Sequence, residues 1–518
     1  MGPACLPTMS SLLLSRRRLI SAATLALVGC ATSNSGQFGP QLDATQRARA
    51  ADRLGWGANS AQLAQVDRLG WSTYVEQQLR ADPKAPLAPA LQAQILELDI
   101  SQRGVAERLR YVEALRKAQD QGATEDERIA ARKTYQEALN RGAREAGHRQ
   151  LLRQLYSEQQ LLEHISWFWF NHFNVHQYKR EIRVLISDYE DQALRPHALG
   201  SFRALLGAVA RHPAMLRYLD NDQNGNKALN ENYARELLEL HTLGVDGGYS
   251  QRDVQELARV LTGFGVRLEP DPPRLPPKLA GQYVRQGLFE FNPVRHDFGD
   301  KQLLGQTIAG RGAAELDQVL DLLVAHPSTA RFISHKLAVY FLADRPSPAL
   351  VQRMSAAFAR SQGDIAATLR PLLYSPEFAA PGRPKFKDPQ HYLLSSLRMG
   401  FEGQALQNSQ PLQAWLRRLG QGLYDKQTPD GYALTEEAWN SAGQMSTRFE
   451  IARQLGAGAP ALFRPDGANT PVPLPDLKPL RTRLEPQLAP ATRQALAQTV
   501  SPQQWLTLLL SSPDVMYR

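Results

Sequence analysis

The sequence predicts a mainly α protein: a large multi-helix body with a small β-hairpin insertion. Three observations carry this. Apolar residues recur at three- and four-residue spacing through most of the chain after Gln41. Serine, proline and an acid recur in that order at helix starts, as in Ser375-Pro376-Glu377 and Ser512-Pro513-Asp514. Strand-like alternation is confined to residues 287–304.

The leader comes first. Ser15-Arg16-Arg17-Arg18-Leu19-Ile20 is a twin-arginine pattern, and the apolar run 22–28 behind it is too short to span a bilayer. Leu27-Val28-Gly29-Cys30 reads as a bacterial lipobox, which predicts cleavage before Cys30 and lipidation of its sulfur. Ala31, in place of Asp, matches outer-membrane sorting in Gram-negative lipoproteins, with the body facing the periplasm. A plain secretory signal with an incidental cysteine is the alternative, and Met1 and Met9 are both possible starts. The organisation expected is therefore a signal over 1–30, a linker over 31–40 and a body over 41–518. Cys5 and Cys30 are the two cysteines, so the body has no disulfide framework, thiol nucleophile or thiolate metal site.

The body follows in order. Residues 43–54 and 61–79 are amphipathic. Residues 91–147 place Leu, Ala and Val at helix spacing with charges on the other faces. They predict a solvated antiparallel helix pair turning near Gln121-Gly122-Ala123-Thr124. Residues 148–174 crowd Trp167, Phe168, Trp169, Phe170 and Phe173 onto one helix, and a helix apolar nearly all round is buried. Residues 195–219 give a further helix.

Residues 269–279 are too rich in proline for helix. In the hairpin, placed at about 282–305, Phe289 and Phe291 alternate with polar neighbours and Gln302-Leu303-Leu304 returns. Residues 316–341 return to helix, and His335 and Lys336 there read as structural. His326-Pro327 repeats His212-Pro213, which suggests reused helix-start chemistry. Residues 419–445 form an ordered loop whose Gln421, Tyr424, Trp439 and Asn440 either line a sugar-binding surface or plug the core. Residues 463–490 form a proline-rich crossing before the last helix.

Candidate chemistry centres on residues 220–265. Asp220, Asp222, Asn224, Gly225 and Glu231 fit the spacing of an EF-hand calcium loop, in which alternate oxygens point at one cation and glycine allows the sharp turn. Lys227 stands where such loops are usually apolar. The same residues also fit an Asx-rich turn in which Asn230 caps the next helix. On that helix Glu231, Arg235 and Glu239 share a face, and Glu236 and Glu239 are neighbours. Paired carboxylates serve as general acid and base or bind a metal; an exposed salt-bridge ladder has the same pattern. Ser250 and Asp253 open the following helix as a capping pair.

Two histidine groups complete the set. His172 and His176 stand four apart, the spacing that puts two imidazoles on one helix face for a metal. His296, Asp297 and Lys301 on the hairpin could meet the acidic helix, with His296 as acid–base group or ligand and Lys301 as anion partner; simple turn residues are the alternative.

Long segments resemble the bacterial family known as domain of unknown function 1800. They are NENYARELLELHTLGVDGGYSQRDVQELARVLTGFG at 230–265, RLGWGA at 53–58, WFWFNHFNV at 167–175, HDFGDKQLLG at 296–305, HPSTARFISHKL at 326–337, LGQGLYDKQTPDGY at 419–432 and SPDVMYR at 512–518. The resemblance spans nearly everything after the leader. It implies an exported, largely helical protein, and it assigns no catalytic residue. Many family members are encoded beside a sulfatase-like partner, which implies an envelope or extracellular-polymer role.

Composition narrows the classes further. The net charge of +9 is spread thinly, with no basic run beyond Arg16–Arg18, which argues against a nucleic-acid footprint. The chain has no GxSxG, no haem CxxCH and no glycine-rich phosphate loop between strand and helix. Two readings stand. One is a metal-dependent hydrolase or lyase on an envelope polymer, its site gathering Glu231, Arg235, Glu236, Glu239, His172, His296 and Asp297. The other is a calcium-stabilised scaffold that binds a partner enzyme or polysaccharide.

Overall fold

The organising element is the helix Gln160–His172, in which every residue but Ser166 is buried. Its aromatic crowding leaves no face for water, so helices pack around it on all sides. Phe168 meets Tyr340, Trp169 meets Phe202 and Phe170 meets Tyr424, with ring centroids 5.1, 5.7 and 4.9 Å apart. The Trp169 indole N–H donates to the Ala198 carbonyl at 2.8 Å, which satisfies its one polar atom. Each such ring contributes about 1.5–3 kcal/mol by leaving water.

The computed structural model describes residues 42–121, 124–380, 385–464, 472 and 474–518. The leader, Cys30 and the linker lie outside the described residues. The fold is mainly α: 63% of it is helical, and two small sheets supply the strands. Among the described residues no helix is long and apolar enough to cross a membrane.

Helix starts follow the expected chemistry. Ser375 Oγ accepts from the Phe378 N–H, and the imidazoles of His212 and His326 accept from Ala214 N–H and Ser328 N–H at 3.1 and 3.2 Å. Ser512 differs, because its hydroxyl donates backwards to the Leu509 carbonyl. The long helix pair is Val105–Gln121 against Glu125–Tyr156, with Thr124 and Glu127 forming a capping box. Its second helix runs nine residues beyond the expected 147 and stops at Ser157, ahead of the central helix. The proline-rich stretch holds one short helix, Pro277–Ala280, because Pro276 and Pro277 sit where no N–H is needed.

The β region departs from the expected hairpin. Phe289–Phe291 pairs on both sides, with Phe264–Val266 and Val284–Gln286. Lys301–Leu303 pairs instead with Gln306–Ile308. Leu304 and Gly305 both have positive φ, +49° and +76°, the turn that reverses a strand within two residues. The chain turns back at once, so Leu303 never reaches Phe289.

The second sheet carries a buried ion cluster. Glu315 receives Lys301 Nζ at 2.6 Å and faces His296 Nε2 at 2.9 Å, and all three side chains are fully buried. His296 Nδ1–H donates to the Thr262 carbonyl at 2.8 Å. Burial alone would raise the Glu315 carboxyl, but the hydrogen bonds from His296 and Lys301 outweigh it and hold it below its usual range. The stabilisation is whole above the unfolded value of about 4.3 and is lost as pH falls through the lower folded one. Glu315→Met should lower stability by about 3–5 kcal/mol in urea unfolding at neutral pH, because the buried Lys301 ammonium and the His296 ring are left without their carboxylate partner. The deficit should shrink in acid, where the wild-type carboxyl is itself protonated.

Candidate functional site

Three helices and a loop bring together charged and titratable groups at the C-terminal end of the central helix. Asn171 and Asn174 hold the loop in place. The Asn171 amide accepts from Tyr432 N–H at 2.6 Å and donates to the Tyr432 carbonyl at 2.9 Å. Asn174 donates to the carbonyls of Lys426 and Thr428, both at 2.9 Å. Between them Gly431, at φ +76°, lies so close that a Cβ would stand 2.0 Å from the Asn171 carbonyl oxygen. Glycine is required there, and its neighbour Asp430 is thereby fixed at the site.

The second wall is the helix Asn232–Glu239. Tyr233, Ala234, Leu237 and Leu238 bury one face, which leaves Glu236 and Glu239 half-buried on the other. Thr242 Oγ1 donates to the Leu237 carbonyl at 2.6 Å and closes the helix. The chain then turns through Gly244, whose φ is +84° and whose missing side chain leaves room for Phe332. This turn puts His241 inside, fully buried, and neither ring nitrogen has a partner among the described residues. An unpaired buried imidazole is uncommon and marks a place for a bound water or ligand group. Burial and then Lys336 push its pKa down to about 3.

The third wall is the helix Pro327–Phe341, which supplies Lys336. Its ammonium lies 3.0 Å from His172 Nδ1 and above the Phe332 ring, 5.3 Å from the centroid. His172 Nε2 lies 3.1 Å from the His241 carbonyl. An amine donates and a carbonyl accepts, so the tautomer is determined: Nε2 carries the proton and Nδ1 receives Lys336. Burial, with Lys336 and His241 adding to it, holds His172 neutral far below its usual range. Burial likewise brings Lys336 down to about 8, against the pull of Asp430.

Asp430 is the carboxylate whose charge reaches this amine, and it also acts on Glu236. Burial first, then Glu239 and Asp430, raise the pKa of Glu236, while Arg235 lowers it. The Tyr249 hydroxyl donates to Glu239 at 3.2 Å. Tyr218, buried near Glu236 and Asp430, donates to the Gln427 carbonyl at 2.7 Å. The cluster thus holds an amine able to lose its proton near neutrality and a carboxyl inclined to keep one, the complementary requirements of proton-transfer chemistry. Beside it runs a groove of about 1700 Å³, lined by Leu243, Gly244, Phe332 and His335 among others.

The remaining candidates lie elsewhere. Of the set expected to gather, Glu236 and Glu239 act on one another with Arg235 beside them, and Asp430 links Glu236 to Lys336, which contacts His172. His296 and Lys301 are turned to Glu315, and Asp297 pairs with Arg259 at 2.8 Å, so the three do not face the acidic helix. His176 does not share a helix face with His172, because the helix ends at His172.

The acidic loop is drawn to several partners. Asp220 pairs with Lys179 and Asp222 with Arg180, each at 2.7 Å. Glu231 pairs with Arg235 and Gln251. The buried Asn224 amide donates to the Ala258 carbonyl and accepts from Asn230 N–H, both at 2.9 Å. Asn230 in turn accepts from Asn232 N–H at 3.0 Å, an Asx turn, while the N-cap of the helix is Glu231 and not the expected Asn230. Among the described residues no group of three or more His, Cys, Asp or Glu side chains is arranged to hold a metal ion.

Tyr424, Gln421 and Trp439 fill the core, with the Tyr424 hydroxyl on Glu190 and Gln150, and Asn440 alone of that set is exposed. Sequence reasoning missed Lys336, His241 and Asp430. All three lie within the family-like segments quoted above, and only the fold brings those segments together.

No curated protein and no solved structure matches the chain. One family model does, over nearly the whole length. The chain belongs to DUF1800, a family of proteins of unknown function, whose model covers residues 49–517.

Proposed function

We propose that the Lys336 cleft is an acid–base site of an exported, lipid-anchored envelope protein, and that it acts as a hydrolase or lyase on an envelope or extracellular polymer. The observation that carries this is the Lys336–His172 contact: an amine brought down to about 8 against an imidazole that can only accept from it. In this reading Lys336 removes a proton, from water in hydrolysis or from the sugar ring in elimination. Glu236, its pKa raised by burial and then Glu239, gives a proton to the leaving oxygen. Asp430 and Glu239 hold the neighbouring field. Both nitrogens of His172 are already engaged, so this reading routes no step through a metal.

The test is to incubate full-length protein in detergent with envelope polysaccharide fractions. New reducing ends report hydrolysis, and new ultraviolet-absorbing double bonds report elimination. Lys336→Met and Glu236→Gln should each lower the rate by about 100-fold or more, the usual size of a lost proton-transfer group. The wild-type rate should rise as pH climbs through about 8, where the amine loses its proton. Unchanged rates in both variants would refute the assignment.

The groove beside the cleft favours a second reading: a non-catalytic, calcium-stabilised scaffold that takes a sulfatase-like partner or a polysaccharide there. That reading requires stoichiometric calcium by elemental analysis and a calcium-dependent melting shift lost in Glu231→Gln. The acid–base reading expects Glu231→Gln to change stability by less than about 1 kcal/mol with or without calcium, since its pair with Arg235 is solvent-screened.

A further inference from the structure

A second cavity, of about 510 Å³, shares no residue with the groove beside Lys336 and is lined by an excess of cations. Arg49, Arg53, Lys387, Arg483 and Arg518 face it, against the acids Asp52 and Asp514. Three of the five are deeply buried: Arg53 is 2% exposed, and Lys387 and Arg518 are each 6% exposed.

Their partners do not neutralise them. Arg53 donates to the carbonyls of Glu377 and Phe378, and Arg518 to those of Arg53 and Tyr340. Arg49 donates to the Ala379 carbonyl. Lys387 Nζ makes no hydrogen bond among the described residues, and its nearest acid, Asp52, stands 3.9 Å away. The Asp52 carboxylate also accepts from Ala58 N–H, and that of Asp514 is taken up by Ala489 N–H and the Thr492 hydroxyl. Among the described residues, buried donors are left over: Nε of Arg53, Nε of Arg518, and both Nε and Nη1 of Arg483. Burial first, then Arg49 and Arg518, bring the pKa of Arg53 down to about 10, against the pull of Asp52. Unpaired buried charge costs several kcal/mol, and unsatisfied buried donors are rare unless a ligand or ion meets them.

We infer that this cavity is a binding site for a tetrahedral oxyanion, carried as a phosphate or sulfate group on a small molecule. Such a group offers acceptors on all sides, accepts paired N–H donors from guanidinium forks and cancels the mutual repulsion of the five cations. The volume lies within the range of small-molecule sites and exceeds what a bare anion fills, which leaves room for a sugar-sized remainder.

The experiment is calorimetric titration of the full-length protein at constant ionic strength, using inorganic phosphate, inorganic sulfate, glucose 6-phosphate, glucose 6-sulfate and chloride. Saturable binding of the phosphate or sulfate series, with none for chloride, is the expected result, and the tighter of the two esters identifies the group. Lys387→Met and Arg483→Gln should each weaken binding about ten-fold or more, the cost of one charge-assisted hydrogen bond. Arg53 and Arg518 are unsuitable for substitution, since they also hold backbone carbonyls. Circular dichroism of both variants must match wild type, and Arg483→Lys should restore part of the affinity. Absence of saturable binding by any of the four anions, or equal affinity in wild type and both folded variants, would overturn the inference.

Discussion

One hydrogen bond sets the character of the candidate site: Lys336 Nζ to His172 Nδ1. It forces His172 to keep its proton on the other nitrogen, where the His241 carbonyl receives it. It also means the two groups cannot both be charged without placing two protons against each other. Burial decides which one gives way, and the imidazole stays neutral. A contact between three segments far apart in sequence therefore fixes a tautomer, a charge state and the position of an amine at once.

That geometry depends on the buried aromatic helix. Because Gln160–His172 is enclosed on all sides, its last turn is a rigid base. Asn171 projects from it, and Asn174 from just beyond its end, to tie down the loop with Asp430, and His172 projects from the last turn to meet Lys336. Beside the central helix, interior charges are held by paired partners: Glu163 with Arg195 at 2.6 Å, and Asp191 with Arg149 and Arg153, each at 2.7 Å. Glu190, between these pairs in a π-helical turn, is raised to about 7 by burial, against Arg149. The cation-lined cavity gathers five cations in one place, and Arg53 and Arg518 there are met by backbone carbonyls instead.

The helical class, the buried aromatic helix and the helix caps were legible because each is a local signal. Apolar spacing and cap residues act within a few positions of themselves. The strand pairing was not legible, because the choice between Phe289 and Gln306 as Leu303's neighbour is made by the positive φ of Leu304, which no pattern of polarity announces. The carboxylate pair Glu236 and Glu239 was visible from its spacing, and His172 from its segment. Lys336 looked structural because its neighbours are apolar, yet that apolar setting is what lowers its pKa. The EF-like spacing of Asp220 to Glu231 was visible too, but spacing does not reveal that Lys179 and Arg180 stand ready to pair with its acids.

The most direct test of this account is the titration of the Lys336 amine itself. Carbon NMR of full-length protein labelled at its lysine side chains, with the signal assigned by its loss in Lys336→Arg, gives the midpoint without any knowledge of substrate. The account predicts a midpoint near 8, with no protonation of His172 across the neutral range. A midpoint in the ordinary lysine range, near 10.4, would contradict it.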